Sequence, residues 1–132
     1  MNNLRSKSWT MELTTMKKKK TRLIVRKGAE NIALRVEEIA FIYRDNTIIV
    51  AVDKEEKKYL CDRNLSALEE ELDEAMFFRA NRKYLVNIQF IRGFKTFEKV
   101  KLEVSLSLST CNHNIIVSQE TAPLFKKWIY EE

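Results

Sequence analysis

The segment Phe77–Asn87 places a group of polar hydrogen-bonding side chains between two apolar flanks, and this group comprises Arg79, Asn81, Arg82 and Lys83. An arginine guanidinium can fork onto guanine, and an asparagine amide can pair with the edge of adenine. Lys83 and Arg79 suit phosphates, which set the register and the affinity of a complex but not its sequence preference. Because an exposed arginine in a basic loop is what direct base readout uses, we predict that Arg82 contacts nucleic acid, whereas Arg79 could simply be a surface residue.

The charges along the chain are segregated in a way that suits a polyanionic partner. The net charge is +5, yet residues 1–22 alone carry +6 and residues 79–101 also carry +6, whereas residues 53–76 carry −5. A basic tail and a basic central segment favour a polyanion on one side, although an ordinary solvated surface is the alternative. The run Lys17–Lys20 could touch phosphates as an extended arm.

The sequence lacks the motifs of the common catalytic and cofactor sites. A phosphate-binding glycine loop, a Gly-x-Ser-x-Gly elbow and a His-Glu-x-x-His motif are all absent. The single histidine, His113, lies close to Cys111, and these two groups with Cys61 still fall short of the roughly four ligands of a structural zinc site. We therefore expect no enzyme activity, no cofactor, no metal site and no small-molecule substrate.

Strand patterns dominate the first half of the chain. From Thr21, apolar and polar residues alternate, which is typical of strands with one buried face. Gly28 interrupts the first alternating run, and Arg44–Thr47 is predicted to be a turn because aspartate and asparagine readily bond their own backbone there. A charged hairpin tip at Asp53–Lys58 is expected to lead into a return strand that ends at Cys61.

A change of pattern after this strand predicts a helix. Leucines at helical spacing begin at Leu65, and the acidic residues lie mostly off that stripe, so the acidic segment is explained as a solvated helix face. Two N-terminal caps are possible for this helix. Ser66 with Glu69 fits a capping box, and Asn64 could serve instead.

Further strands and a second helix are predicted in the last third of the chain. Gly93 is interpreted as a turn, Lys99–Leu108 shows the clearest alternation in the chain, and Ile115–Val117 is a short buried strand. A helix is expected after Ser118, with Pro123 in its early turn, where the missing N–H costs least. Its buried stripe is predicted to be Phe125, Trp128 and Ile129.

The fold class that follows is mainly β, with short antiparallel strands in a meander or sandwich and two or three short helices. Residues 1–22 are expected to form a basic tail or linker, and residues 23–132 the folded domain. No apolar run approaches the roughly 20 residues that span a bilayer. With no export signal at the N-terminus, Cys61 and Cys111 are expected to be reduced thiols and the protein cytoplasmic.

The segment Phe77–Asn87 also resembles the hallmark of the LytTR family of DNA-binding domains. That hallmark usually reads as an aromatic pair, Arg, any residue, His, Arg or Asn, Ser, Tyr and then Leu-Val-Asn. Arg35–Tyr43 is similar to the second strand region of the family, and the Leu65–Leu72 helix lies just before the hallmark, as in the family. Val117-Ser118 followed by a helix matches the family's ending. The resemblance covers about Leu23–Ile129.

Membership of this family would imply a fold of small β-sheets with short helices. It would also imply binding of double-stranded DNA by loops that enter successive major grooves, usually at paired direct repeats, so that two copies side by side form a possible homodimer. Most relatives carry a receiver domain or a membrane sensor upstream. Because a short tail precedes the domain here, the input signal stays open.

Position by position, the resemblance assigns DNA contacts to three regions. The first is the loop Arg44–Thr47, in which Arg44 and Asn46 are the candidate contacts, although a hairpin turn needs such residues in any case. The second is Asn81–Lys83 in the hallmark. The third is Gln119, where the family often has arginine.

The remaining residues of the hallmark are expected to have structural roles. Asn87 is predicted to bond the backbone at the start of a strand. The aromatic and aliphatic residues flank a helix and a strand, so we expect them in the core rather than as platforms for base stacking. These residues are Phe77, Phe78, Tyr84, Leu85 and Val86.

The function that the sequence favours is that of a bacterial, response-regulator-like transcription regulator that binds specific duplex DNA. The alternative is a protein-interaction module in which the same fold and the N-terminal tail bind a membrane or receptor partner. Substitution of Arg82 or of the Lys17–Lys20 run should abolish nucleic-acid binding only if the first interpretation is right.

Two departures from the hallmark predict a shifted base preference. Asn81 replaces the usual histidine and Gln119 the common arginine, and both keep hydrogen-bonding ability while losing charge or a titratable ring. Lys83 replaces a small serine and adds a cation. We expect a selection from random duplexes to return adenine at the positions that Asn81 and Gln119 contact. Guanine at those positions would contradict this prediction.

Overall fold

The fold consists of ten strands, two α-helices and two short 3-10 helical turns, in a computed structural model that describes residues 19–109 and 112–131. The helices are α1 (Leu65–Glu71) and α2 (Ala122–Glu131). The strands are β1 (Arg22–Lys27), β2 (Glu30–Arg35), β3 (Ile39–Asp45), β4 (Ile48–Asp53), β5 (Lys58–Cys61), β6 (Phe77–Arg79), β7 (Tyr84–Asn87), β8 (Ile91–Phe97), β9 (Lys101–Leu106) and β10 (Ile115–Val117).

The strands form two antiparallel sheets. The larger sheet has seven strands in the order β2-β1-β5-β4-β3-β7-β6, and the smaller has three in the order β10-β9-β8. Most neighbouring strands are joined by local hairpins. The pairings of β1 with β5 and of β3 with β7 are the two that join strands distant in sequence. The pairing of β3 with β7 brings the hallmark hairpin β6–β7 beside the hairpin β3–β4.

The centre of the large sheet is buried on both faces. One face packs on α1 in a first hydrophobic cluster, which includes Ile42, Ile49 and Leu85. The other face packs on the small sheet and α2 in a second cluster, which includes the next residue along each strand. Burial of each such side chain stabilises the fold by about 1.5–3 kcal/mol relative to exposure. The fold prediction of a mainly β protein with short antiparallel strands is confirmed.

The strands of the first half lie where the sequence predicted them, but the burial of two of them differs. Leu23 and Val25 are buried with exposed neighbours, as expected for a strand with one buried face. In contrast, Ile39–Tyr43 and Ile49–Asp53 are buried throughout, because each of these strands separates two clusters. Gly28 lies in the β1–β2 turn with a φ of 63°, a left-handed conformation that glycine adopts without strain.

Two sequence predictions around β8 and β9 are wrong. Gly93 lies inside β8, next to a shift in register with β9, rather than in a turn. Strand β9 begins at Lys101, and Val100 is 47% exposed in the preceding turn. Glu98 and Lys99 form that turn with φ values of 50° and 69°, which residues other than glycine rarely adopt. The turn therefore has no glycine to mark it, and the glycine nearby marks an irregularity in a strand.

The helices follow the predicted patterns. Asn64 caps α1, because its side chain accepts a hydrogen bond of 2.8 Å from the backbone N–H of Ala67. In α2, Pro123 is the second residue, and Phe125 is fully buried. Across the described ranges, the structure contains no helix long and apolar enough to cross a membrane.

Asn87 has the structural role that the sequence predicted. It is fully buried, and its side-chain amide donates a hydrogen bond of 2.8 Å to the carbonyl of Ile39. Its side-chain oxygen accepts a bond of 2.9 Å from the backbone N–H of Gln89. Ile39 lies at the bulge that interrupts the β3–β4 ladder, so Asn87 supplies a partner where regular pairing fails.

Substitution of Asn87 should therefore destabilise the whole sheet. We expect Asn87→Ala to lower the free energy of unfolding by about 2–4 kcal/mol, because it leaves a buried carbonyl and a backbone N–H without partners. Urea denaturation monitored by circular dichroism measures the loss. The control is Gln89→Ala, which removes an exposed side chain and retains the N–H. Equal stability of the two variants would contradict the assigned role.

Candidate nucleic-acid interface

The three predicted contact regions meet at one end of the central strands. The backbone N–H of Arg44 donates to the carbonyl of Lys83 over 3.0 Å, which joins the end of β3, directly before its turn, to the β6–β7 loop. The side-chain amide of Asn81 donates to the carbonyl of Ile116 over 2.6 Å, which joins that loop to β10. Strand β10 runs directly into the turn that carries Gln119.

The β3–β4 turn presents polar groups on a short, fixed hairpin. Asp45 pairs with Ile48, so Asn46 and Thr47 form a two-residue connection. Asn46 has a φ of 56°, a conformation that asparagine tolerates better than most residues. Both Arg44 and Asn46 are exposed. Asn46 therefore meets the backbone requirement of the turn and also presents an exposed polar side chain.

The β6–β7 loop is tight and internally bonded. Ala80 is fully buried, and its backbone N–H donates to the carbonyl of Tyr84 over 3.0 Å. The side-chain oxygen of Asn81 accepts the backbone N–H of Lys83 over 2.7 Å. Arg82 and Lys83 are exposed. These hydrogen bonds fix the backbone of the loop and leave two cationic side chains in solvent.

The side chain of Arg79 supports this loop through hydrogen bonds to its backbone. Its Nε donates to the carbonyl of Asn81 over 2.8 Å, and its Nη2 donates to the carbonyl of Arg82 over 2.9 Å. Its Nη1 bonds the carboxylate of Glu69 on α1 over 3.1 Å. The side chain is only 23% exposed. The guanidinium is therefore engaged within the protein, and the predicted phosphate contact of Arg79 remains a prediction.

The β10–α2 turn forms the third part of the surface. The hydroxyl of Ser118 donates to that of Thr121 over 2.8 Å, and the backbone N–H of Ala122 donates to the carbonyl of Ser118 over 2.8 Å. Gln119 and Glu120 are exposed between these anchors. A cleft of about 340 Å³ separates the turn from the β6–β7 loop, and it is lined by Arg79, Asn81, Arg82, Ser118, Glu120 and Thr121.

An aromatic cluster supports the loops from inside. His113 Nδ1 lies 2.8 Å from the hydroxyl of Tyr84, and the imidazole centroid lies 4.4 Å from that of Tyr43. Burial lowers the pKa of His113, and the positive charges of Lys58 and Lys83 lower it further. From the sequence, His113 was considered only together with the two cysteines, as an incomplete set of zinc ligands. Its partner Tyr84 is 29 residues away in the sequence, so the spacing of residues gives no indication of this contact.

The described tail residues Lys19 and Lys20 contact α1, and Cys61 is a partly buried free thiol. The ammonium group of Lys19 bonds the carbonyl of Glu70 over 2.9 Å, and the backbone N–H of Lys20 bonds that of Glu71 over 3.0 Å, so both lysines contact α1. Burial, together with the nearby charge of Asp62, raises the pKa of the Cys61 thiol to about 11.

Several predictions lie outside the described residues, namely those on Lys17, Lys18 and Cys111. Within residues 19–109 and 112–131, no group of histidine, cysteine and acidic side chains is arranged to hold a metal ion.

Comparisons with known proteins identify the family and the fold of the chain. The model of the LytTr DNA-binding domain family matches residues 29–130. Among solved structures, the LytTr DNA-binding domain of a response regulator from Bacillus cereus aligns with a TM-score of 0.75 and 18% sequence identity. The alignment covers 83% of this chain and 97% of that one, and at this identity it shows a shared fold. No curated protein matches the sequence.

A charge-conserving substitution of Arg79 distinguishes a brace from a phosphate contact. We expect Arg79→Lys to weaken DNA binding about five- to thirtyfold, because lysine keeps the charge but cannot donate to both loop carbonyls at once. Hydrogen exchange should speed up at the amides of residues 80–83. The matched control is Arg92→Lys on the exposed surface of β8. Wild-type affinity in Arg79→Lys would instead indicate that only its charge matters.

Proposed function

Because the chain belongs to the LytTR family of DNA-binding domains, we propose that it is a transcription regulator that binds specific sequences of double-stranded DNA through the loops at one end of its central strands. The observation that carries this proposal is the pair of hydrogen bonds that join the three loops, from Arg44 to Lys83 and from Asn81 to Ile116. Together they turn separate segments into one surface with exposed cationic and amide side chains.

The residues at this surface divide into two groups. Arg44, Arg82 and Lys83 are exposed cations, which suit guanine edges and phosphates, and Asn46 and Gln119 are exposed amides, which suit adenine. These five residues are the proposed contacts. Arg79 and Asn81 complete the predicted site, and their bonds within the protein favour a contribution through the shape of the loop.

The proposed mode of binding inserts these loops into successive major grooves. A B-DNA major groove is about 12 Å wide and admits a two-stranded hairpin, so the narrow β3–β4 and β6–β7 tips are of suitable size. Two copies of the chain would bind side by side at direct repeats, as a dimer on DNA. In this role the protein acts without catalysis or cofactor, in the cytoplasm of a bacterial cell.

A second candidate function, that of a protein-interaction module, is favoured by a different surface. Ile24 on β1 is 66% exposed and Leu60 on β5 is 37% exposed, and these strands are neighbours in the large sheet. Exposed apolar side chains on adjacent strands suit a protein partner. The strand register places this surface at the same end of the large sheet as the β3–β4 turn, on the two strands next to β4.

The test of the proposed function is a fluorescence-anisotropy titration with random duplexes, followed by selection of the bound fraction. We expect an enriched repeated motif, and Arg82→Ala should weaken its binding by about five- to 150-fold, because a bidentate contact discriminates by about 1–3 kcal/mol. Affinity should also fall steeply with salt, since contacts with phosphates release counterions.

The matched control is Arg92→Ala, which removes an exposed arginine from β8 and should retain nearly full affinity. A flat salt profile would contradict the proposal. Weak, salt-sensitive binding without an enriched motif would favour the protein-interaction module, with the basic tail as a mere polyanion anchor.

A further inference from the structure

We infer that Ile48 is a specificity-determining residue, which reads thymine by packing on its 5-methyl group in the major groove. This inference rests on the proposed function and adds to it a residue of a different chemical class. All the contacts proposed above are polar or charged. Ile48 would supply the apolar contact at the same surface.

The position of Ile48 in the hairpin makes it available. It is the first residue of β4, directly after the two-residue turn Asn46-Thr47, and it is 48% exposed. Because side chains alternate along a strand, it shares a face with Val50 and Val52, which belong to the second cluster. Val50 is 5% exposed, so the cover that buries this stripe ends before Ile48.

The cross-strand neighbours of Ile48 do not bury it. Its partner in the β3–β4 ladder is Asp45, an exposed carboxylate with a short side chain, whereas Val50 is paired with the large ring of Tyr43. An isoleucine beside an aspartate at a hairpin tip contributes little to the core. Its apolar surface becomes useful only when another molecule covers it.

Ile48 differs in location from the other exposed apolar side chains of the described residues. Those lie on β1 and β5, in the β8–β9 turn and on α2, and they are Ile24, Leu60, Val100, Leu124 and Tyr130. In contrast, Ile48 lies at the tip that carries Arg44 and Asn46. It is separated from Lys83 by the single strand β3, so the two backbones are about 10 Å apart at the usual spacing of strands. Both residues therefore fit within one major groove about 12 Å wide.

The chemistry of the groove limits the target of an apolar side chain. Guanine, adenine and cytosine present hydrogen-bond donors and acceptors at their major-groove edges, and thymine adds a methyl group. Asp45, next to Ile48, would be repelled by phosphates but can accept a bond from the amino group of cytosine. The tip Asp45–Ile48 is thus suited to bases rather than to the DNA backbone.

The experiment uses the full chain and the duplex selected as described above. Each thymine of the enriched motif is replaced in turn by deoxyuridine, which removes only the 5-methyl group, and affinity is measured by anisotropy. We expect at least one replacement to weaken wild-type binding about fourfold, the value of one buried methyl group. Ile48→Ala should bind the thymine and uracil duplexes equally.

Tyr130→Ala is the control, because it removes an exposed side chain near the end of α2, next to Ile129 and the cleft beyond the opposite end of β7, and it should keep the wild-type dependence on the methyl group. Thermal unfolding checks that Ile48→Ala is folded. A dependence that persists in Ile48→Ala would overturn the inference, as would the absence of any methyl-sensitive thymine. Failure of the proposed function would look different: no motif would be enriched, or Arg82→Ala would bind it as the wild type does.

Discussion

The central strands β3, β4 and β7 are shared by two hydrophobic clusters, and this shared burial constrains everything else in the structure. Each strand must supply apolar side chains to both faces, so a slip of one residue would exchange the partners of both clusters at once. The register of these strands is therefore strongly specified. Since the loops begin where the strands end, the same constraint fixes where Arg44 and Lys83 stand relative to one another.

The loops at these strand ends are ordered by bonds that do not use their exposed side chains. The carbonyls of Asn81 and Arg82 are held by Arg79, the loop backbone is tied to β10 by Asn81, and the aromatic contact of His113 with Tyr84 supports the start of β7. A surface ordered in advance loses less conformational entropy when it binds a ligand. Such an arrangement suits a protein that must distinguish among many similar DNA sequences.

Much of this architecture could be predicted from the sequence, because alternation and helical spacing are local signals. The strands of the first half, the helix at Leu65 and the structural role of Asn87 were all accessible in this way. The β8–β9 turn was not, because Glu98 and Lys99 adopt left-handed conformations that usually mark glycine. The brace formed by Arg79 and the support given by His113 depend on contacts between distant segments, and neither leaves a mark in residue spacing.

The bonds of Arg79 have a consequence for how such a domain can diversify. The guanidinium donates hydrogen bonds to main-chain carbonyls, which every amino acid possesses. This support of the loop therefore does not depend on the side chains at positions 82 and 83. Gene duplication followed by substitution at those positions could therefore produce paralogues with new target sequences while the scaffold stays folded. The atoms that support the loop are therefore separate from the exposed side chains proposed to contact DNA, and protein engineers can vary these two positions first.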